Sequence, residues 1–241
     1  MGREEPTLSS NGRSLERKRR PHDDKDINPD DAKIAGIGFC PLQYQHWFSG
    51  EEAGYHFRHT RWGMSQHDVR RAENGEPEAN FFKGSNLVWK AELLDERAVV
   101  VYTFAFNKLV RAKYTLAKYS SALQRSLYSA IAPKKPFAGE YVLDFSKYEK
   151  ALIEKYGKPD ENYQGAPKEA QESIGSDPEA TGKAMDMIEE LIRTGKLAWY
   201  SKWKTKDSAI LLIVHGNRGE IAFEISYSSI ALSRLEMDPP L

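Results

Sequence analysis

Arg61-Trp62-Gly63-Met64-Ser65-Gln66-His67-Asp68-Val69 opens a short helix and is followed by three strand-like runs. Phe145-Ser146-Lys147-Tyr148-Glu149-Lys150-Ala151-Leu152 does the same further along the chain. A recurring unit constrains the architecture before any single residue does. In the first copy Ser65 is an N-cap with Asp68 three residues on, and Val69 and Ala72 form a narrow inward stripe. Gly75 and Pro77 end the helix. Leu87, Trp89, Ala91 and Leu93 then alternate with polar neighbours, and Val99 to Phe106 is apolar on both faces, as a central strand is. Val110, Ala112, Tyr114 and Leu116 alternate with Arg111, Lys113 and Thr115, and Asn107-Lys108 supplies the hairpin between the last two strands.

The second copy has longer insertions. The spacing of Tyr119, Leu123, Leu127 and Ile131 predicts a helix over 117–131, closed by Pro133. Ser146 and Glu149 read as a capping box for a helix whose stripe is Tyr148, Ala151, Leu152 and Tyr156, stopped by Gly157 and Pro159. Residues 160–176 read as loop. Asp177 and Pro178 start another helix, with Ala184, Met187, Ile188 and Leu191 inward, ending at Gly195. Three strands follow: Leu197 to Lys204, the apolar run Ala209 to Val214, and Ile221 to Ser228 in strict alternation, with Gly216-Asn217-Arg218-Gly219 as the turn.

The expectation is an α+β fold of two tandem units, each a helix on an antiparallel three-stranded meander, the two either separate or joined into one continuous sheet. The first spans 34–116. The second spans 117–235 and carries a helical insertion. Residues 1–33 have almost no large apolar side chains and two opposed charge blocks, Arg17-Lys18-Arg19-Arg20 and Asp23 to Asp31, which predicts a disordered tail. The acidic block cancels much of the basic patch's field, so nucleic acid is disfavoured as a partner.

With 35 basic against 35 acidic residues in 241, the chain has no global field for polyanions. No apolar run approaches the roughly 18 residues of a membrane span. Met1 to Leu15 is polar throughout, which favours a soluble, cytoplasmic protein without a signal peptide. A single cysteine allows no internal disulfide.

Gly63-Met64-Ser65, Val69, Gly75 and Pro77, followed by a Trp-bearing strand and a hairpin, resemble the helix-plus-meander unit of the SmpA/OmlA outer-membrane-assembly lipoproteins. They are also similar to the tandem unit of the β-lactamase inhibitor protein family. The second copy keeps Ser146, Leu152, Gly157, Pro159 and a Trp strand, so the resemblance covers residues 57 to 230. It implies a non-enzymatic protein-binding module of the cell envelope. The chain departs from the pattern in lacking a lipobox and in its insertion between Pro159 and Trp199.

Two functional readings follow. Trp89, Trp199, Tyr200, Lys202 and Trp203 are candidates for an aromatic protein-binding face of the sheet, because aromatic side chains carry much interface energy. Tyr200 and Lys202 alternate away from Trp199 and Trp203, which makes them the exposed members. The competing reading is that these aromatics fill the space between sheet and helices. The alternative function is a zinc-dependent, hydrolase-like enzyme built on Cys40, His46, His56, His59 and His67, with an open metal position activating water. The spacing lacks a paired Cys-x-x-Cys, and Cys40 among Phe39, Pro41 and Leu42 reads as a small buried hydrophobe. Gly36-x-Gly38 and Gly216-x-x-Gly219 do not sit between a strand and a helix, as a phosphate cradle must. The balance favours a binding module with a protein partner and no cofactor.

Overall fold

The computed structural model describes residues 54–78, 86–128, 136 and 139–237. The charged tail, Cys40, His46 and most of the aromatic entry segment lie outside the described residues. The fold is α+β around one antiparallel seven-stranded sheet. In chain order the elements are α1 (Gln66–Ala72), β1 (Asn86–Leu93), β2 (Glu96–Ala105), β3 (Lys108–Leu116), a 3₁₀ turn (Ala117–Tyr119), α2 (Ser121–Leu127) and α3 (Glu140–Tyr156). Then come β4 (Glu161–Tyr163), α4 (Lys168–Ser173), α5 (Pro178–Arg193), β5 (Trp199–Lys204), β6 (Ser208–Asn217), β7 (Glu220–Ser229) and α6 (Arg234–Met237). The spatial order is β1-β2-β3-β7-β6-β5-β4, so two meanders meet at their last strands, β3 and β7.

Three two-residue hairpins turn the sheet: Leu94-Asp95, Phe106-Asn107 and Arg218-Gly219, all with positive φ at both positions. Such paired left-handed residues match the twist of the flanking strands. The second hairpin lies one residue earlier than Asn107-Lys108, because Lys108 pairs with Ala105. Arg218-Gly219 alone makes the third turn, and β6 runs on through Gly216 and Asn217.

One face of the sheet, here the inner face, carries the main core. Trp89, Tyr102, Tyr114, Phe223, Tyr227, Trp199 and Trp203 project from its strands, and Val69, Tyr141, Phe145, Tyr148, Leu152, Ile188 and Ile192 meet them from α1, α3 and α5. Tyr148 lies 5.3 Å from Phe223 and Tyr141 lies 5.7 Å from Trp199, ring centre to ring centre. The indole N–H groups of Trp89, Trp199 and Trp203 donate to the carbonyls of Gly75, Gly165 and Gly157, so each ring also ties a loop to the sheet. A buried indole gains from such a partner.

Several helical expectations shift. α3 begins at Glu140 after Gly139 in the left-handed conformation, not at Ser146. Tyr141 and Phe145 extend the stripe of Tyr148 and Leu152 about two turns upstream, and the Ser146 hydroxyl bonds back to Val142 O. The expected helix over 117–131 is a 3₁₀ turn, then α2 capped by Ser120. In α5, Ala184, Ile188 and Ile192 are the buried residues, while Met187 is exposed. The spacing of four selects Ile192 where the sequence reading chose Leu191. The stretch 160–176 contains β4 and α4.

Gly216 is required by packing. A Cβ there would stand 2.3 Å from Ile192 O and 2.5 Å from Arg193 O, so the end of α5 rests directly on β6.

Candidate functional site

The sheet's outer face is unequal. Over β1 and β2, α2 covers it, with Leu123 and Leu127 clustered against Val88, Val99 and Val101. Further across, strand pairing lays out a grid of outward residues. One row runs Tyr163, Tyr200, Ile213, Glu224, Thr115, and the next runs Glu161, Lys202, Leu211, Ser226, Lys113. A third runs Lys204, Ala209, Ser228, Arg111. Tyr163, Lys204, Ala209 and Arg111 are exposed, and Tyr200, Lys202, Leu211 and Ile213 are only half-buried.

This grid has internal order. Tyr163 stacks on Tyr200 with centroids 5.9 Å apart and planes at 27°. Lys202 Nζ lies 4.7 Å above the Tyr200 ring and 2.6 Å from Glu161 Oε2. The Lys202 pKa is raised chiefly by that bond to Glu161. On the β3 and β7 side, Lys113 Nζ is 2.6 Å from Glu224 Oε1, and His215 Nε2 is 3.9 Å from Glu224 Oε2. Burial works against the Glu224 charge, but His215 and Lys113 outweigh it and hold its pKa below the usual value. His215 is raised in turn, mainly by Glu224. Strand alternation already placed Lys113 and Glu224 outward; what no single strand reveals is that β3 and β7 are neighbours.

Of the candidate binding residues, the structure sets Tyr200 and Lys202 together on this open face. Trp89, Trp199 and Trp203 lie on the inner face, at 7%, 6% and 3% exposure. Their rings fill the space between sheet and helices.

Of the histidines, His56 accepts a bond from Trp62 N–H at Nδ1, stacks on the Trp62 ring and turns Nε2 towards Asp207 at 3.9 Å. Only one ring nitrogen is therefore left for a metal. His59 packs edge-on against Tyr55 and, like His67, is exposed. Among the described residues no group of three or more His, Cys, Asp or Glu side chains is arranged to hold a metal ion.

Two charged clusters lie deeper. Lys118 Nζ is 3.0, 2.9 and 2.7 Å from carboxylate oxygens of Glu96, Glu140 and Asp144, tying β2 to α3. Burial opposes the Lys118 charge, yet Asp144, Glu140 and Glu96 outweigh it and raise its pKa. Tyr119 donates to Asp144 at 2.7 Å. Arg58 pairs with Glu73 at 2.9 Å, where the Glu73 side chain is 2% exposed and also accepts from the Tyr102 hydroxyl. Burial pushes the nearby Tyr114 up to about 12. Both clusters join separate elements through ion pairs, which makes them clasps between elements.

No protein-family model, curated protein or solved structure matches the chain.

Proposed function

We propose that this chain is a non-enzymatic protein-binding module whose contact surface is the outer face of β4, β5 and β6, centred on Tyr200 and Lys202. The observation that carries the reading is the grid itself: a stacked tyrosine pair and half-buried Leu211 and Ile213, rimmed by charges, beside a half-sheet whose equivalent face is closed by α2. An apolar centre with a charged rim is the usual anatomy of a protein interface. The two meanders meeting at β3 and β7 also support reading the chain as tandem helix-plus-meander units, as in the families it resembles.

Photo-crosslinking tests the surface. A benzoylphenylalanine at position 200 is expected to give a discrete adduct in an extract of the source cells. The same group at Met187, an exposed apolar position on α5, is expected to give none. Tyr200→Ser with Lys202→Glu is expected to abolish recovery of that partner with the melting temperature unchanged. Equal crosslinking at 200 and 187 would remove this face from the site.

A further inference from the structure

Three hairpins adopt the same left-handed pair, but they solve its cost differently. A side chain with a Cβ is strained at positive φ, and glycine, asparagine or aspartate usually fills such positions. The second residues, Asp95, Asn107 and Gly219, are of that kind, so the strain falls on the first; Arg218, at φ 54°, is exposed but polar. Leu94 is strained at φ 49° but is 3% exposed, so core packing offsets the strain. Phe106 has the same φ of 49° and is 54% exposed. It therefore combines an unfavourable backbone with an unfavourable exposure among the described residues. Strain that persists without a structural return points to function.

The surroundings indicate what the ring meets. Gly63 N–H bonds to Leu109 O, Leu109 N–H to Met64 O, and Gln66 N–H to Asn107 Oδ1, so the segment 54–66 lies against the Phe106 hairpin. The same segment reaches the β5–β6 turn through Trp62 Nε1 and Ser208 Oγ at 2.9 Å. Ile230 N–H bonds to Asp207 O, bringing in the chain after β7. This end of the sheet thus gathers residues 54–66, 105–109, 204–208 and 229–235. They carry exposed Arg61, Lys108, Lys204, Lys206 and Arg234 against the carboxylate of Asp207, with Asp68 bonded to Ser65 and Glu236 just beyond Arg234 as the nearest others among the described residues. On a chain of zero net charge, this is a local basic end crowned by one protruding aromatic ring.

We propose that this end docks on an anionic phospholipid surface, with Phe106 entering the headgroup region and the surrounding cations facing lipid phosphates and carboxylates. Charge spread over four segments suits a flat, fluid, anionic surface, which demands no shape match. Aromatic rings favour that interface, and each nearby cation adds attraction that salt weakens.

The test is sedimentation of the full chain with phosphatidylcholine vesicles, with and without phosphatidylserine. Binding is expected only with phosphatidylserine and is expected to fall as salt rises. Phe106→Asn suits the turn, so its melting temperature is expected to rise while vesicle affinity drops by about tenfold or more. Phe106→Trp is expected to keep binding, and Lys108→Glu with Lys206→Glu to lose it. Absence of binding to phosphatidylserine vesicles, or wild-type affinity in Phe106→Asn, overturns the proposal. So does retention of a polyuridine RNA by the chain with no vesicle binding, which would make the end a nucleic-acid patch. These readouts do not involve Tyr200 or Lys202, so either surface can fail while the other stands.

Discussion

Strands β2 and β6 look alike as sequences and differ as structures. Both are long apolar runs, Val99 to Phe106 and Ala209 to Val214. In β2, five successive residues, Ala98 to Tyr102, are buried, because α1 and α3 close one face and α2 the other. In β6 the buried residues alternate, Ser208, Ile210, Leu212 and Val214, while Leu211 and Ile213 stay half open and Ala209 is exposed. Apolar content therefore reports that a strand meets a core. Whether the second face is core or contact surface depends on a helix elsewhere in the chain.

The inner face is common to both halves, so the largest effects belong there. Phe145→Ala, on α3, is expected to cost about 3–5 kcal/mol in chemical denaturation. Leu143→Ala, on the same helix but 63% exposed, is expected to stay within about 0.5 kcal/mol. Comparable losses would mean that α3 is packed on both sides. Next, Gly216→Ala should cost roughly 2–3 kcal/mol by forcing α5 off β6. Gly182→Ala, inside α5 with open space around its Cβ, should gain about 0.5–1 kcal/mol. A harmless Gly216→Ala would show that the α5 contact is not tight.

Legibility follows the same division. The capping box of Ser65 and Asp68, the start of α5 at Asp177 and the alternation of β7 were all readable, since each depends on residues a few positions apart. Tyr200 and Lys202 were placed outward for the same reason. The start of α3 was misjudged because Ser146 has cap chemistry, while the stripe through Tyr141 and Phe145 decides the helix. The Lys113, Glu224 and His215 group was missed because it needs the β3–β7 pairing, across more than a hundred residues of chain. Trp199 and Trp203 are legible as one face of a strand, and filling the space between sheet and helices is the competing reading the sequence leaves open for them.

The smallest effect tests the charged group on the β3 and β7 side of the open face. The His215 pKa is raised from about 6.5, chiefly by Glu224, so its contribution to stability is full at lower pH and fades as pH rises through the folded value. Glu224, held below its usual value, stays ionised across that window. Wild-type melting temperature should therefore carry a small decline between about pH 6 and pH 8 that His215→Gln removes. An identical profile in the variant would separate His215 from Glu224.

One half of the outer face is core and the other is surface. Paired threonine substitutions test it most directly, since threonine keeps the β-branched shape but adds a hydroxyl. Val99→Thr, at 1% exposure beneath α2, is expected to cost about 1–3 kcal/mol in denaturant unfolding. Ile213→Thr, on the open half, is expected to cost under about 1 kcal/mol. An Ile213→Thr loss equal to that of Val99→Thr would contradict the account, because Ile213 would then lie in a closed core.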